Sequence, residues 1–486
     1  MSKFQNFSHY QPDSSGYKLL PFRFTAVADE EYLLTNLAGE MTFLPRDRLA
    51  AFVNHKLHPD DPEYVDLRAL HFLYRPEDRA ALDLLALKVR TRFSRLADFT
   101  SLHMFVVSLR CEHTCQYCQV SRQSEDKASF DMTREIAEKG LDFVFRSPAP
   151  ALKIEFQGGE SLLNFELIQY IVEQAEARNK TQQRQLQFVI ATNLAPVTSE
   201  MLYYCREHHI LLSSSLDGPE DLHNKNRPRP GKNSHQKFLE GLHLAREIVG
   251  FDSVSALMTT TEASLPRVRE IIDEYIRLGF QGIFLRPLSP YGFAIKTKSF
   301  AKYNATRWFE FYKEGLAYII ELNKAGIPFN EHYASLVLTK MLTSTDPGYV
   351  DLMNPSGAGI AGIIFNYDGS VYASDESRML AEMGDKSFRL GSLLENTYEE
   401  IFLSDRLLNA LDESFTLSAP MCSECAYEPY CGADPVYHHA MYKDVLGRKP
   451  ESEFCQRNMA IFRYLADLMR SDKEVRQIFM RWANRC

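Results

Sequence analysis

Three closely spaced cysteines are the residues of this sequence best suited to chemistry. They stand in the segment Cys111-Glu-His-Thr-Cys115-Gln-Tyr-Cys118, directly after the apolar run Phe105–Leu109. Three thiolates on one loop can bind three irons of a four-iron cluster. The fourth iron then lacks a protein ligand, and an open metal position is typical of a site that does chemistry. A zinc site or three unrelated thiols is the weaker interpretation, because C-x3-C-x2-C is not a usual zinc spacing.

A second group of cysteines stands near the end of the sequence. Of the nine cysteines in the chain, this group contains Cys422, Cys425, Cys431 and Cys455. In a reducing compartment we expect them to bind metal and not to form disulfides. Four thiolates complete the ligand set of a cluster or of a zinc ion, since C-x2-C pairs are common zinc ligands. We interpret the remaining Cys205 and Cys486 as ordinary residues.

Between about residues 105 and 324, strand-like and helix-like segments alternate. One helix is predicted over Ser264–Leu278, with Pro266 in its first turn and Gly279 after its end. The alternation predicts an α/β fold whose parallel sheet has right-handed crossovers. Six strands are too few for a closed eight-stranded barrel, so we expect an open, partial (β/α)6 TIM-like barrel. The strand-like runs are Phe105–Leu109, Leu152–Phe156, Leu186–Ala191, Ile210–Leu216, Val254–Met258 and Gly282–Leu285.

Three domains follow from where the alternation starts and stops. Residues 1–100 contain two short strand-like segments, Glu31–Asn36 and Glu40–Leu44, followed by helical segments. They predict a small α+β domain that could be winged-helix-like. Residues 101–330 form the barrel. Residues 331–486 contain the hairpin-like Ile363–Tyr372, the second cysteine group and a helix over Glu453–Met469, which predict a loop-rich domain stapled by metal.

Polar motifs end the second, third and fourth predicted strands. Gln157-Gly-Gly-Glu160 has two glycines that permit close backbone approach to a ligand, and Glu160 can accept a hydrogen bond from an ammonium group. Thr192-Asn193 and Ser215-Leu-Asp217-Gly-Pro219 end the next two strands. Because the carboxyl ends of parallel strands share one edge, where such folds place active sites, we expect these motifs around the first cysteine group.

Together these motifs resemble those of the radical SAM enzymes. C-x3-C-x2-C with an aromatic residue before the last cysteine is that family's signature, and the others match its GGE, TNG and SxDGP elements, except that Leu194 replaces a glycine. The resemblance implies a four-iron cluster that reductively cleaves S-adenosylmethionine to a 5′-deoxyadenosyl radical, which takes a hydrogen atom from a substrate. Implied contacts with this cofactor come from Tyr117, Gln157, Gly158, Gly159, Glu160, Asn193, Ser215, Asp217 and Arg227. For Arg227, which follows His223 in the family's H-x3-R pattern, a surface or turn role stays open.

The second cysteine group resembles the SPASM extension of peptide-modifying radical SAM enzymes. That extension commonly carries two auxiliary four-iron clusters on seven cysteines. Here Ser356 and Ser374 stand in segments where relatives often have cysteine, and Pro435 occupies another expected ligand position. The resemblance therefore implies one auxiliary cluster with a complete set of protein ligands. Such a closed cluster suits electron transfer or a structural role.

Two further residues are candidates for catalysis. Asp375 follows the position of a missing cysteine, and in sulfatase-maturing relatives a carboxylate there is a proposed base. The alternative is an aspartate that merely ends a hairpin. Arg286, at the end of the sixth predicted strand, is expected to face the barrel cavity and to hold a substrate carboxylate or carbonyl.

Over nearly its whole length the sequence resembles the HxsB group, the maturases of the His-Xaa-Ser repeat system. The segments LLPFRF, LLTNLAGEMTFL and VDLRALHFL carry this resemblance, with the single-cluster tail. It implies a peptide or protein substrate rich in that repeat, and a second radical SAM protein as partner. A low-potential donor such as flavodoxin or ferredoxin would supply electrons. The N-terminal domain would bind a leader peptide by strand addition.

Two other functions remain open. A sulfatase-maturing enzyme, which oxidises Cys or Ser to formylglycine, shares fold and chemistry, although the missing cysteines count against it. A zinc-stapled scaffold without catalysis would leave the strand-end motifs unexplained. The net charge of −9 argues against a nucleic-acid partner. The polar N-terminal segment and the lack of a long apolar stretch predict a cytoplasmic protein without membrane contact.

Overall fold

A computed structural model describes residues 16–484 of the chain, except 79, 119, 121, 125, 297–299 and 301–304. Most of the polar N-terminal segment and Cys486 therefore lie outside the described residues. The strands are β1 Lys18–Leu19, β2 Phe22–Ala28, β3 Glu31–Asn36, β4 Met41–Pro45, β5 Leu73–Tyr74, β6 Leu102–Ser108, β7 Ala151–Gly158, β8 Gln185–Thr192, β9 Leu211–Ser215, β10 Val254–Leu257, β11 Gly282–Ile283, β12 Asn330–Glu331, β13 Gly362–Phe365, β14 Ser370–Tyr372 and β15 Arg389–Ser392.

The helices lie between and after these strands. In chain order they are α1 Arg46–Val53, α2 Pro62–Ala69, α3 Ala80–Arg92, α4 Lys127–Phe130, α5 Arg134–Val144, α6 Phe165–Gln182, α7 Ser199–Glu207, α8 Glu220–Asn226, α9 Ser234–Ile248, α10 Val268–Arg277, α11 Phe293–Lys296, α12 Ala305–Lys324, α13 His332–Leu342, α14 Asp375–Glu382, α15 Tyr398–Phe402, α16 Asp405–Glu413, α17 Pro435–Tyr442, α18 Glu453–Ser471 and α19 Lys473–Ala483. No helix in the described ranges is long and apolar enough to cross a membrane.

An eight-stranded sheet in the order β10-β9-β8-β7-β6-β13-β14-β15 is the centre of the molecule. Its strands from β10 to β13 run parallel, and β14 and β15 run antiparallel. Strand β6 is buried almost throughout, as expected for a parallel strand covered on both faces. Helices such as α5, which Thr133 caps through the backbone N–H of Ile136, pack against the sheet. The predicted α/β fold is confirmed.

The sixth predicted strand is the part of the structure that differs from the predicted barrel, because it lies outside the central sheet. Strand β11 pairs in parallel with β12, Gly282 opposite Asn330, in a separate two-stranded sheet. The neighbour of β6 on its free side is instead β13, where Phe365 lies opposite Phe105. The predicted hairpin over Ile363–Tyr372 forms, with Gly369 at φ 82°, but it extends the central sheet. Pairing over such sequence distances has no local signal, which explains the difference.

The N-terminal region forms a three-stranded antiparallel sheet, β2-β3-β4, backed by helices around its own core. Both predicted strand segments are present, and β2 precedes them. The sheet packs directly on the loop that carries the second cysteine group. There Arg23 forms a 3.2 Å ion pair with Glu428, and the Thr35 hydroxyl donates a 2.7 Å hydrogen bond to the carbonyl of Ala426. The three domain boundaries stay predictions.

Candidate active site and cysteine groups

The first cysteine group lies on the loop that follows β6, at the carboxyl edge of the central sheet. Arg110 anchors the start of this loop through a bidentate ion pair with Asp131, whose oxygens lie 2.7 and 2.8 Å from the guanidinium nitrogens. At the middle of the loop, both the backbone N–H and the hydroxyl of Thr114 donate to the carbonyl of Pro228, at 2.7 and 3.0 Å. The loop is thus fixed at its start and at its middle by contacts within the chain.

The thiols of Cys111, Cys115 and Cys118 are free and partly buried. Burial raises the pKa of the Cys115 thiol to about 12, opposed by Arg227 and reinforced by Cys118. The pKa of Cys111 is raised well above its ordinary value, mainly by burial and then by Glu112 and Glu160. Buried thiols of this kind become thiolates when a metal replaces the proton. Three free thiols on an anchored loop fit a cluster with three protein ligands.

The Gly158-Gly159 turn, which ends β7, lies against this loop. A β-carbon on Gly159 would lie 2.4 Å from the carbonyl oxygen of Arg110, and one on Gly158 would lie 1.9 Å from that of Ser108. The backbone N–H groups of Gly159 and Glu160 donate to the same two carbonyls, at 2.8 and 2.7 Å. The sequence predicted that these two glycines let the backbone approach a ligand closely. In the structure it is the cysteine loop that needs the glycines.

Glu160 is buried at the same edge with its carboxylate already oriented. It accepts hydrogen bonds from the Thr192 hydroxyl at 2.7 Å, the Asn193 N–H at 2.8 Å and the Leu162 N–H at 3.0 Å. Burial raises the pKa of Glu160 to about 8, with the charge of Glu112 adding to the rise. The two predicted motifs after β7 and β8 therefore meet, as the parallel register requires. Gln157 instead donates a 2.9 Å hydrogen bond to Glu155.

Asn193 links this edge to residues that the sequence did not single out. Its Nδ2 donates to Glu112 Oε1 at 3.0 Å and lies 3.0 Å from His113 Nδ1. Glu112, His113 and Cys111 form the one group of three described residues whose possible metal-ligand atoms lie within 4.8 Å of one another. The following residue, Leu194, has φ 64° and is buried, so a leucine adopts a left-handed conformation at the position where the TNG element has glycine.

Asp217, in the turn after β9, is fully buried and joins two elements of the site. Its Oδ2 accepts a 2.6 Å hydrogen bond from the hydroxyl of Tyr117 and lies 3.2 Å from Arg227 Nε. The guanidinium of Arg227 also lies 5.5 Å from the centre of the Tyr117 ring. These three predicted cofactor residues contact one another. Ser215 lies at the end of β9, opposite Leu257 of β10.

The second cysteine group forms a loop and the start of α18. Burial raises the pKa of Cys425 to about 12, and the charges of Cys431, Cys455 and Cys422 add to that rise. Asn458 Nδ2 lies 3.8 Å from Cys431 Sγ. The positions of the missing ligands have other roles. The Ser374 hydroxyl caps α14 by accepting from Ser377 N–H at 3.2 Å, and Pro435 is the first residue of α17.

The two candidate catalytic residues, Arg286 and Asp375, have different surroundings, and only Arg286 lines a cavity. Arg286 lines a cavity beyond β11, and its contact with a substrate carboxylate or carbonyl stays a prediction. Asp375 lies 3.4 Å from the guanidinium of the buried Arg378, and the cavity is lined instead by its neighbour Glu376. The cavity also receives two acids that the sequence analysis missed, Asp351 and Asp434. Together with Glu376 these acids come from three distant segments, and no motif joins them.

Comparisons with known proteins agree with this geometry. The sequence profile described as "Radical SAM superfamily" matches residues 105–275. An uncharacterized protein of Methanocaldococcus jannaschii is 28% identical over 186 residues, which are 38% of this chain and 61% of that protein. The chain thus covers less than two thirds of that relative. The serine-type anaerobic sulfatase-maturating enzyme of Bacteroides thetaiotaomicron is 23% identical over 356 residues, or 68% of this chain and 80% of that enzyme.

Two solved structures are similar in fold. One is described as native anSMEcpe with bound AdoMet and Kp18Cys peptide. It has a TM-score of 0.63 and 18% identity over 80% of this chain and 99% of that one. The other is Streptococcus suis SuiB bound to the precursor peptide SuiA, with a TM-score of 0.53 and 13% identity over 91% of this chain and all of that one. At these identities the likeness concerns the fold.

Proposed function

We propose that this chain, an enzyme whose residues 105–275 are a radical SAM domain, is a maturase that modifies a ribosomally made peptide or protein. The cofactors of such a domain are a four-iron cluster and S-adenosylmethionine. When bound, they supply a 5′-deoxyadenosyl radical that takes a hydrogen atom from the substrate. The observation that carries the proposal is the convergence of the cysteine loop, Glu160, Asn193 and Asp217 at one edge of the sheet.

The chain's own residues fit these cofactors. Cys111, Cys115 and Cys118 would hold three irons, and Glu160 would accept the methionine ammonium with the acceptor capacity that its three hydrogen bonds leave free. In the absence of that cation, burial keeps the pKa of Glu160 high, at about 8. Asp217 would act indirectly, by holding Tyr117 and Arg227 in place.

We propose that the second cysteine group holds one auxiliary four-iron cluster. Four sulfurs around one zinc lie about 3.8 Å apart, since each Zn–S bond is about 2.3 Å. Among the described residues, no three of these four thiols lie within 4.8 Å of one another. The thiols as they stand do not form a zinc-sized cage, and the resemblance of this group to the SPASM extension is what favours a cluster.

The metal content of the protein separates these two possibilities. Anaerobically prepared chain should contain about eight irons, four in each cluster, and Cys425→Ser should lower that number to about four. About four irons with one zinc per chain would contradict the auxiliary cluster.

A peptide or protein is the proposed substrate. Support comes from the sulfatase-maturating relatives and from the fold shared with SuiB, which was solved with its precursor peptide. Within this class we favour a substrate of the His-Xaa-Ser repeat system, on the N-terminal segments that resemble the HxsB group. Partners would include a second radical SAM protein and a flavodoxin or ferredoxin.

One alternative keeps a specific observation in its favour. The sulfatase-maturating relatives align with 68% of this chain, so oxidation of Cys or Ser to formylglycine is the second candidate. Formylglycine carries an aldehyde, so labelling of the product with a hydrazide probe separates it from a modification that forms no carbonyl.

The test is anaerobic co-expression with the peptide that a neighbouring gene encodes, followed by mass spectrometry. We expect a mass change that is absent with Cys118→Ala. Identical peptide masses with wild type and variant would contradict the maturase function.

A further inference from the structure

The cavity beyond β11 is lined by charged side chains from five separate segments. Arg286 follows β11, Asp351 precedes β13, Glu376 stands at the start of α14, Asp434 directly precedes α17, and Arg457 is in α18. We call these five residues the charged cavity. Among the described residues, none of these five side chains has an ion-pair partner within 4 Å. Partly buried charges usually pair, so unpaired ones point to a ligand that is not part of this chain.

Two buried hydrogen-bond donors lead to the same conclusion. Tyr291 and Trp308 line the cavity and are only 1% and 2% exposed. Neither the Tyr291 hydroxyl nor the Trp308 indole N–H has a hydrogen-bond partner within the described part of the chain. A buried donor without a partner costs about 1–3 kcal/mol, so both donors indicate an acceptor on the bound molecule, such as a carbonyl oxygen of a peptide backbone.

The net charge of the cavity determines whether the bound group is a cation or an anion. Two guanidiniums balance two of the three carboxylates and leave one carboxyl without a counter-charge. Burial raises the pKa of Glu376 to about 7, with Asp351 and Asp375 adding to the rise. Burial also raises the pKa of Asp351, against the opposing effect of Arg286 and Arg457. Near pH 7 Glu376 is therefore partly protonated when the cavity is empty, and a bound cation would favour its anionic form.

The cavity lies between the two cysteine groups. Two residues after Tyr291, the N–H of Phe293 donates a 2.9 Å hydrogen bond to the carbonyl of Cys118. On the other side the hydroxyl of Tyr333, which also lines the cavity, donates to Asn458 Oδ1 at 3.0 Å, and Asn458 Nδ2 contacts Cys431 Sγ. A side chain held here would lie next to both metal-binding loops.

We propose that the charged cavity binds a basic side chain of the peptide substrate, an ammonium or imidazolium group, through Asp351, Glu376 and Asp434. This inference rests on the proposed function, because it names the substrate class of the same site. Tyr291 and Trp308 would donate to a carbonyl oxygen of the peptide that carries this side chain. Arg286 and Arg457 would hold the three carboxylates apart and orient them.

The test is calorimetric titration of the cluster-loaded, full-length chain with Nα-acetyl-lysine methylamide as probe. We expect saturable binding that Glu376→Gln and Asp351→Asn each weaken about tenfold, the equivalent of about 1.4 kcal/mol. Glu240→Gln, at an exposed carboxylate beside Lys237, is the matched control and should bind as wild type does. Trp308 supplies a local signal, since tryptophan fluorescence should respond to the probe and Trp308→Phe should remove that response.

Two results would overturn the inference. One is tighter binding of Nα-acetyl-glutamate methylamide than of the lysine probe, with Arg286→Gln abolishing it, which would make the cavity an anion site. The other is no saturable binding of the lysine probe by wild type. Formation of 5′-deoxyadenosine by the same preparation separates the two proposals. A preparation that forms it without binding the probe contradicts only the cavity, whereas one that binds the probe without forming it contradicts only the radical function.

Discussion

The hydroxyl of Tyr117 donates a 2.6 Å hydrogen bond to the buried carboxylate of Asp217, one hundred residues further along the chain. This contact ties the cysteine loop after β6 to the turn after β9, across two intervening strands. The aromatic residue of the C-x3-C-x2-C motif therefore has a mechanical role beside any contact with a cofactor.

Removing that hydroxyl should destabilise the protein more than an equal change at the surface. Hydrogen bonds to charged groups contribute about 1.5–3 kcal/mol, so Tyr117→Phe should lower the free energy of unfolding by about that amount. Tyr318→Phe, which removes an exposed hydroxyl 2.7 Å from Asp273, should cost less than about 1 kcal/mol. Urea unfolding of the metal-free proteins measures both. Equal losses would show that the Tyr117 contact contributes no more than a surface bond.

Leu194 keeps a left-handed backbone at φ 64° where a glycine would be unstrained. Its buried side chain should make any truncation costly, by about 2–5 kcal/mol. A truncation to glycine usually leaves a protein less stable than a truncation to alanine, and at this position we expect the opposite order. Leu194→Gly should be more stable than Leu194→Ala by about 1 kcal/mol, because only glycine relieves the left-handed strain. A more stable alanine variant in urea unfolding would show that the strain is absent.

The ion pair between Arg23 and Glu428 joins the N-terminal sheet to the second cysteine loop. Both side chains are at least nine-tenths buried. Arg23→Met leaves a buried carboxylate without its cation and should cost about 3–5 kcal/mol. Arg46→Met breaks a 3.6 Å pair with the exposed Glu30 and should cost close to nothing. Urea unfolding and limited proteolysis of the 422–431 loop measure the effect. Similar values for both variants would mean that the sheet docks without this pair.

Binding of the lysine probe should depend on pH through Glu376. Its pKa is raised by burial to about 7, so the carboxyl is neutral below that pH and anionic above it. The lysine ammonium stays charged throughout, and its affinity should therefore rise as pH increases from about 6 to 8. The groups that face Glu376 are Asp351, Asp375, Asp434, Arg286, Tyr291 and Tyr349. Glu376→Gln should flatten this rise, and Glu240→Gln should not. A rise that survives Glu376→Gln would assign the titration to another group.

Much of the site could be predicted from the sequence, because parallel strands bring their carboxyl ends to one edge. Each motif follows its strand directly, so local order was enough to place Glu160 beside Thr192 and Asn193. The Gly158-Gly159 pair could also be recognised from the sequence as a site of close backbone approach. The segment that approaches it is the cysteine loop and not a ligand. Leu194 shows the limit of such matching, since the backbone of the turn persists with a different residue.

The remaining features depend on contacts between distant segments. Strand β11 pairs with β12 and β13 with β6, and short strands carry no pattern that selects a partner. The charged cavity is assembled from five segments, and for the same reason the sequence did not predict it. Asp375 and Glu376 are neighbours in sequence, and only the start of α14 decides that Glu376 lines the cavity.

The most direct test of radical chemistry is the yield of 5′-deoxyadenosine. Anaerobically reconstituted chain would be mixed with S-adenosylmethionine and dithionite, and the product quantified by chromatography. We expect wild type to form 5′-deoxyadenosine and Cys118→Ala, which lacks one ligand of the first cysteine group, to form none above the protein-free background. Equal yields from the two proteins, or none from wild type with a full iron complement, would contradict the assignment of Cys111, Cys115 and Cys118 as the cluster that cleaves S-adenosylmethionine.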